Sequence, residues 1–254
     1  MADWDALQRE LDLWVDAGKT ATFWWRDDDA GPDDGRLAGL LEQRRGLGVP
    51  LALAVVPAWL EESSAALLRA DPGAGVLQHG WAHANRAGPE RRKCELTAAR
   101  SGDDLENCLS RGQSLLAYAL GSRFHAVMVP PWNRIDATVA QSLAARGFVG
   151  LSTLGPRPAP VRDGLKLANV HIDIVGWKGG GGFAGEATVL AAACDHLARR
   201  RTGKADADEP TGLMTHHRVH DRACDAFVER FVTVVRDHPA GLWQDAATIF
   251  PAAP

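Results

Sequence analysis

The chain has 254 residues, of which 46% are hydrophobic and 24% charged, a composition that is ordinary for a globular protein with one large core. Its formal net charge of -4 removes the electrostatic case for binding nucleic acid or an anionic membrane, and no window is apolar for long enough to span a bilayer. The four cysteines form no CxxC pair, which excludes a metal finger and suits reduced thiols in a cytoplasm. Since the first residues also lack the basic and apolar regions of a signal peptide, we expect a cytoplasmic location.

Short apolar segments alternate with amphipathic ones along the whole chain. The first element is an amphipathic helix over residues 4–17, with apolar residues at helical spacing and a glycine directly after it. Buried strands are predicted at residues 21–25, 50–56, 76–77, 125–129, 149–153 and 212–215, with one or two more within 165–175. Helices are predicted between them, at residues 37–47, 59–69, 95–120, 136–147, 186–199 and 223–236.

This alternation predicts an α/β architecture with a parallel sheet. Polar residues follow strand ends along the whole chain, which favours closure of the sheet into a barrel, because such residues gather at the carboxyl ends of parallel strands. No composition break or internal repeat divides the chain, so we expect a single domain over residues 1–254. The sequence contains no GxxxxGK[ST] loop, and its glycine run at residues 179–182 is only a weak phosphate-loop candidate because no GK[ST] step accompanies it.

A histidine pair, His79 and His83, follows the predicted strand at residues 76–77. Residues four apart on a helical turn project from one face, so both imidazoles can reach one ion. Imidazole nitrogens suit zinc, cobalt or nickel, and a third protein ligand leaves an open position for water. The alternative is a coincidence of two surface histidines.

Three further polar clusters stand just beyond apolar strands, at residues 27–29, 130–133 and 216–217. The first is a run of three aspartates, whose mutual repulsion a bound dication would offset. Its plain alternative is a solvated acidic loop that caps the next helix. The second is a Pro-Pro-Trp-Asn step, which a simple turn also explains. The third is a pair of histidines, of which one can be a hydrogen-bonded core residue.

In this order the motifs resemble those of the polysaccharide deacetylases, also called the NodB-homology or carbohydrate esterase 4 group. The resemblance covers about Thr22 to His217 and implies a distorted (β/α)7 barrel with a divalent metal held by one Asp and two His. The sequence Arg-Asp-Asp-Asp-Ala resembles the family's first motif, Thr-Phe-Asp-Asp-Gly, in which Asp28 matches the general base and Asp29 the metal ligand. A register shifted by one residue would make the pair Asp27 and Asp28 instead.

The remaining motifs resemble the family pattern one by one. His79 and His83 match the second motif, H-[ST]-x-x-H, with Gly80 where Ser or Thr is usual. Val-Pro-Pro-Trp-Asn resembles the third, Arg-x-Pro-aromatic, and implies that the backbone N–H of Trp132 helps to bind the oxyanion. Leu-Met-Thr-His resembles the fifth and implies that His216 is the general acid, with His217 as the competitor. The residues expected to contact the substrate are Trp25, Pro131, Asn133, Asp173 and Trp177, of which Asp173 and Trp177 loosely match the fourth motif.

One departure from the family pattern concerns the third motif, where Val129 stands in place of an arginine that pairs with the catalytic Asp. Arg26 or Arg134 would have to substitute for it. The resemblance implies a metal-dependent N-deacetylase, with zinc first and cobalt or nickel as alternatives, that acts on an N-acetylated sugar or related amide. The alternatives are a non-catalytic barrel that binds carbohydrate and metal, and an amidohydrolase of a small cyclic amide. The expected partner is a small-molecule or carbohydrate substrate, without nucleic acid or membrane.

Overall fold

The computed structural model describes residues 3–32, 34–98 and 102–251, in which strands and helices alternate as the sequence predicts. The strands are β1 Ala21–Ala30, β2 Leu51–Val55, β3 Ala74–His79, β4 Phe124–Val129, β5 Gly150–Leu151, β6 Val161–Arg162, β7 Leu165–Leu167, β8 Ile172–Asp173, β9 Thr211–Thr215 and β10 Gly241–Trp243. The helices are α1 Trp4–Asp16, α2 Arg36–Leu47, α3 Glu62–Ala70, α4 Gly102–Leu120, α5 Ala137–Ser142, α6 Glu186–Arg201, α7 Arg222–Asp237 and α8 Ala246–Ile249.

The sheet has the strand order β6-β7-β5-β4-β3-β2-β1-β9-β8, with β10 added beside the first part of β1. Every pairing is parallel except that of β6 with β7. The strands at the two ends of the sheet, β6 and β8, both lie within residues 161–173, so one short stretch of chain supplies both edges and the sheet curls. The predicted fold class, a distorted (β/α)7 barrel, is therefore confirmed.

Side chains alternate along β1 between the barrel interior and the layer of outer helices. Phe23 and Trp25 belong to the large apolar cluster that the helices cover, whereas Trp24 lies in the interior cluster with Val129 and Met214. The polar end of β1 continues this alternation. The strand thus sends some of its charged side chains into the barrel and others to its outside, and both groups are buried.

The main departure from the predicted elements lies between β3 and α4. The sequence predicts a helix over residues 95–120, but the helix in the structure is Gly102–Leu120, and residues 99–101 lie outside the described ranges. The segment 94–98 is not helical and packs beside the carboxyl ends of β3 and β4. Among the helices in the described ranges, none combines the length and the apolar character that crossing a bilayer requires.

Candidate active site

Three predicted metal ligands come together at the carboxyl ends of β1 and β3. The Nε2 atoms of His79 and His83 each lie 3.2 Å from Oδ1 of Asp29. His79 is almost fully buried, and the side chain of Asp29 keeps 23% of its exposure, so the group opens to solvent on one side. One carboxylate and two imidazoles with an accessible side are a donor set typical of catalytic zinc sites.

Hydrogen bonding fixes which nitrogen of His79 faces this centre. Its Nδ1 lies 2.9 Å from the carbonyl oxygen of Val129 and donates to it, so in the neutral ring Nε2 carries the lone pair. Lone pairs therefore converge on one point, where only a cation or a proton can join them. Burial alone would raise the pKa of Asp29 and lower that of His79, but contact between the two groups outweighs burial and shifts both pKa values the other way. The residues fit a divalent metal.

The backbone between the two histidines differs from the helical turn that their spacing predicts. His79 ends β3, and the chain then turns through Gly80 at φ 58° and reaches His83 at φ 52°, with no helix between them. The two rings still lie 5.2 Å apart at an angle of 41°, which lets both face one ion. The prediction that the pair converges is correct, but a left-handed loop rather than a helix produces it.

Two indole rings flank His83. The centroid of the Trp132 ring lies 4.3 Å from that of His83, and the Trp59 ring lies 5.5 Å away. Each indole is in turn near a cation, since Lys93 lies 5.9 Å from the Trp132 ring and Arg218 lies 5.4 Å from the Trp59 ring. These contacts hold the imidazole of the half-buried His83 in place.

Arg26 supplies the guanidinium that the third motif lacks. Its Nε and Nη2 donate to the two carboxylate oxygens of Asp28, each at 2.8 Å, and both side chains are buried in the barrel interior. The guanidinium also donates to Ser152 Oγ and to Asn133 Oδ1, each at 2.7 Å. Arg134, the other candidate, instead donates to the carbonyl of Lys93 away from Asp28.

Asp27 lies on the opposite side of β1 from Asp28 and contacts His217 and Thr215 instead of the three predicted metal ligands. Its Oδ1 lies 2.5 Å from Nδ1 of His217, and its Oδ2 accepts from the Thr215 hydroxyl and the His217 backbone N–H. Burial alone would raise the pKa of Asp27, but the charge of His217 lowers it, and Asp27 in turn raises the pKa of His217. This geometry favours the register in which Asp28 and Asp29 are the site residues.

His216 stands at the mouth of the barrel beside the fourth-motif residues. Its ring meets the Trp177 ring edge-on at 4.7 Å, and Trp177 Nε1 donates to Asp173 Oδ2 at 2.8 Å. Burial raises the pKa of Asp173, although the charge of His216 opposes this. Within the described part of the chain, Nδ1 of His216 has no hydrogen-bond partner. His216, Asp173 and Trp177 therefore form one group, and Trp177 is 51% exposed.

The other predicted contact residues divide into two groups. Trp132 has a φ of 57°, an unusual backbone conformation for a bulky residue, on a loop beside the metal ligands. Pro131 is buried under Gly80, and Asn133 binds Arg26, so both support the site from within. Trp25 is a correction, because only 1% of it is exposed and its Nε1 donates to Thr215 on the outer side of the sheet. Trp25 belongs to the core and does not reach a substrate.

The structure also brings together a second group of potential ligands that the sequence does not predict, because its members belong to no common motif. They are His171, His196 and Glu209. The backbone N–H of Gly212 donates to His171 Nδ1 at 3.0 Å, so a neutral ring carries its proton on Nε2, which lies 3.4 Å from Glu209. That nitrogen has no lone pair for a metal. The two imidazoles are stacked at 3.4 Å and 15°, an arrangement that keeps an ion out of both ring planes. We interpret the group as a packed neutral pair.

No protein-family model matches the chain, and no curated protein matches it either. Solved structures do match. The Bc1960 peptidoglycan N-acetylglucosamine deacetylase, in complex with 4-naphthalen-1-yl-N-oxidanyl-benzamide, has a TM-score of 0.59 at 12% identity, over 95% of this chain and 97% of that chain. A family 4 carbohydrate esterase from Streptomyces lividans, in complex with acetate, has a TM-score of 0.53 at 15% identity, over 85% and 88%.

A pseudoenzyme of the same family from Bacillus anthracis also matches, with a TM-score of 0.57 at 12% identity over 91% of this chain and 66% of that chain. At such identities the likeness concerns the fold. The motifs that resemble those of the deacetylases in sequence lie in a fold that the solved deacetylases share. The predicted metal-ligand motifs are at the ends of its strands. The chain has the fold of the family 4 carbohydrate esterases, the polysaccharide deacetylase group.

Proposed function

We propose that the protein is a metal-dependent hydrolase that removes an acetyl group from an N-acetylated sugar or a related amide. The observation that carries the proposal is the convergence of Asp29, His79 and His83 beside the buried pair of Arg26 and Asp28. Deacetylases among the solved structures with this fold support the reaction class.

Asp29, His79 and His83 would hold the metal, for which zinc is our first choice and cobalt or nickel the alternatives. A bound divalent ion supplies Lewis acidity, which lowers the pKa of a water molecule and polarises a carbonyl group. The hydrogen bond from His79 Nδ1 to Val129 keeps the opposite nitrogen aimed at this centre.

The neighbours of each group support the acid and base roles that the family resemblance implies. Asp28 accepts the proton of the attacking water, and Arg26 holds both of its oxygens in one orientation through two parallel hydrogen bonds. The backbone N–H of Trp132 donates to the oxyanion that forms on the amide. His216 donates a proton to the departing amine, and its ring contacts that of Trp177, which donates to Asp173.

The substrate partner in this proposal is a carbohydrate or another small N-acyl compound. The half-exposed Trp177 offers a flat surface beside His216, which suits a sugar ring that approaches from solvent. A non-catalytic binding barrel remains the second candidate, because a family 4 pseudoenzyme shares the fold. The main argument for a non-catalytic barrel is the missing third-motif arginine. The pair of Arg26 and Asp28 weakens that argument, because Arg26 takes the place of the missing arginine beside Asp28.

The first experiment measures metal content by mass spectrometry in the wild type, His79→Ala and Asp29→Ala. We expect about one zinc, cobalt or nickel ion per wild-type chain and none in either variant. A wild type that stays free of metal after reconstitution would refute the proposal.

The second experiment compares turnover of N-acetylated sugars by Asp28→Asn and Asp27→Asn. The two substitutions are chemically identical and adjacent, but the side chains lie on opposite sides of β1. We expect Asp28→Asn to keep its metal and lose turnover by roughly 100-fold to 10,000-fold, the usual contribution of a general base. Asp27→Asn should retain far more activity, and the reverse order would move the base to Asp27.

A further inference from the structure

Glu95 is a fully buried carboxylate that binds the backbone of the loop between the two histidines. Its Oε1 accepts from the N–H of Ala82 at 2.9 Å, and its Oε2 accepts from the N–H groups of His83 at 3.1 Å and Trp81 at 3.3 Å. Three consecutive amides thus point at one side chain that is distant from them in sequence. Such a loop makes a concave site for an anion, and here the chain supplies the anion itself.

The same contact explains why Gly80 replaces the usual Ser or Thr. A Cβ atom at Gly80 would come within 2.7 Å of Pro131 and even closer to the Glu95 carboxylate. The backbone there also has a φ of 58°, which glycine adopts at no steric cost. Glu95 and Gly80 therefore depend on each other, because the carboxylate occupies the space that a side chain at position 80 would need.

Glu95 also belongs to a segment that joins the histidine loop to the loop of Trp132. Leu96 forms a parallel bridge with Ile135, and the Leu96 carbonyl accepts from the N–H of Asp136 at 2.9 Å. On the other side, the N–H of Arg86 donates to the carbonyl of Cys94 at 2.8 Å. The segment 94–98 is thus held between both loops.

We propose that Glu95 is a positioning residue that presets His83 for metal binding, an inference that rests on the proposed function. A carboxylate can accept several hydrogen bonds and donates none when ionised, so all three amides are satisfied together. A glutamine in its place would turn an N–H group toward at least one of the amides. The ionised group also adds a negative charge behind the loop, which favours a cation at the centre in front of it.

The test compares Glu95→Gln with Glu209→Gln as a matched control. Glu209 is equally buried and accepts from the backbone N–H groups of Arg157 and Asn169, but it lies in the packed histidine pair away from the metal ligands. The affinity of each protein for Co²⁺ is measured by competition with a chromophoric chelator. Hydrogen exchange of the amides of residues 81–83 is measured on the metal-free proteins, because it reports the loop without the ion.

We expect Glu95→Gln to lower Co²⁺ affinity by roughly 10-fold to 100-fold, the range typical of residues that orient metal ligands. Amide exchange at residues 81–83 should become faster in this variant alone, and Glu209→Gln should keep the affinity of the wild type. If Glu95→Gln does not fold, Glu95→Asp makes the same comparison, because it keeps the charge but is one methylene too short to reach all three amides.

Equal affinity in Glu95→Gln and the wild type would overturn the inference and leave the proposed function standing. An equal loss in Glu95→Gln and Glu209→Gln would also overturn it, since the effect would then be a general loss of stability. A wild type without measurable Co²⁺ affinity would overturn the proposed function itself, together with the role of Glu95 toward a metal.

Discussion

Replacing Arg26 with methionine removes the guanidinium that pairs with Asp28 in the barrel interior. The guanidinium has no solvent exposure, and Asp28 retains only 1%. The substitution deletes both hydrogen bonds to Asp28 and leaves Ser152 Oγ and Asn133 Oδ1 without the donor that reaches each of them at 2.7 Å. An uncompensated carboxylate then stays buried, because the backbone of β1 holds it there.

Breaking a buried ion pair from one side costs about 3–5 kcal/mol of unfolding free energy. For a chain of this size each kcal/mol lowers Tm by about 2–4 °C, so Arg26→Met should melt roughly 6–20 °C below the wild type. Removing both charges avoids the uncompensated group. The double variant Arg26→Met with Asp28→Leu should therefore be more stable than the sum of the two single effects implies.

The assay is urea unfolding of the wild type, both single variants and the double variant, followed by tryptophan fluorescence at pH 7. The four free energies of unfolding give the coupling between the two side chains directly. A loss below about 1 kcal/mol in Arg26→Met would contradict the buried-pair argument, since that is the range of exposed ion pairs. Single effects that add to within about 0.5 kcal/mol would contradict it as well.

Three further predictions concern the loop between His79 and His83, the stacked pair of His171 and His196, and the exposed indole of Trp177. Gly80→Ser, although it restores the family's usual residue, should weaken metal binding, because the new Cβ meets Pro131 and Glu95. Burial and the neighbouring His171 lower the pKa of His196 from 6.5 to about 2, so below pH 6.5 only the unfolded chain gains this proton and stability falls as the pH falls. Between pH 6.5 and 5 this costs about 2 kcal/mol, a slope in urea unfolding that His196→Gln should remove. Trp177→Ala should raise KM for a sugar substrate more than it lowers kcat, because the ring offers a binding surface.

Each of these predictions has an outcome that contradicts it. Wild-type Co²⁺ affinity in Gly80→Ser would mean that the loop accommodates a side chain, and Gly39→Ser is the control because a Cβ there meets nothing within 4 Å. If the free energy of unfolding falls with pH equally in the wild type and His196→Gln, a group other than His196 takes up the proton. A fall in kcat with unchanged KM in Trp177→Ala would assign the indole to His216 and not to the substrate.

The sequence predicts the barrel and the polar residues at the strand ends, because the spacing of apolar residues and the ends of strands are local properties of the chain. It left the register of the aspartates open, and the physical reason is visible in β1. In a regular strand Asp27 and Asp29 would share a face. The φ of 71° at Asp29 and the shift in pairing with β2 between Asp27 and Ala30 break this rule. Asp29 then reaches the histidines while Asp27 stays with His217.

Two other features depend on packing between distant segments, which no local pattern reports. Glu95 lies in a stretch of helical composition, yet it is not helical in the structure. Its carboxylate instead accepts hydrogen bonds from the backbone N–H groups of residues 81–83. Trp25 stands beside the acids in the sequence, but strand alternation turns its indole to the outer layer. The helix predicted for Glu95 and the substrate contact predicted for Trp25 were both wrong. In each case tertiary contacts outweigh the local preference of the sequence.

The position of Arg26 also limits where this barrel can carry an arginine. In the family pattern the arginine comes from the third motif, at the place of Val129, whose side chain shares the barrel interior with Arg26 and Asp28. A direct exchange of one arrangement for the other must pass through a barrel with two buried guanidiniums or with none. Either intermediate carries an unbalanced charge, which is costly in an interior. The two substitutions are therefore epistatic, and a third-motif loop with the family's arginine, grafted into this chain, would need Arg26 to be replaced at the same time.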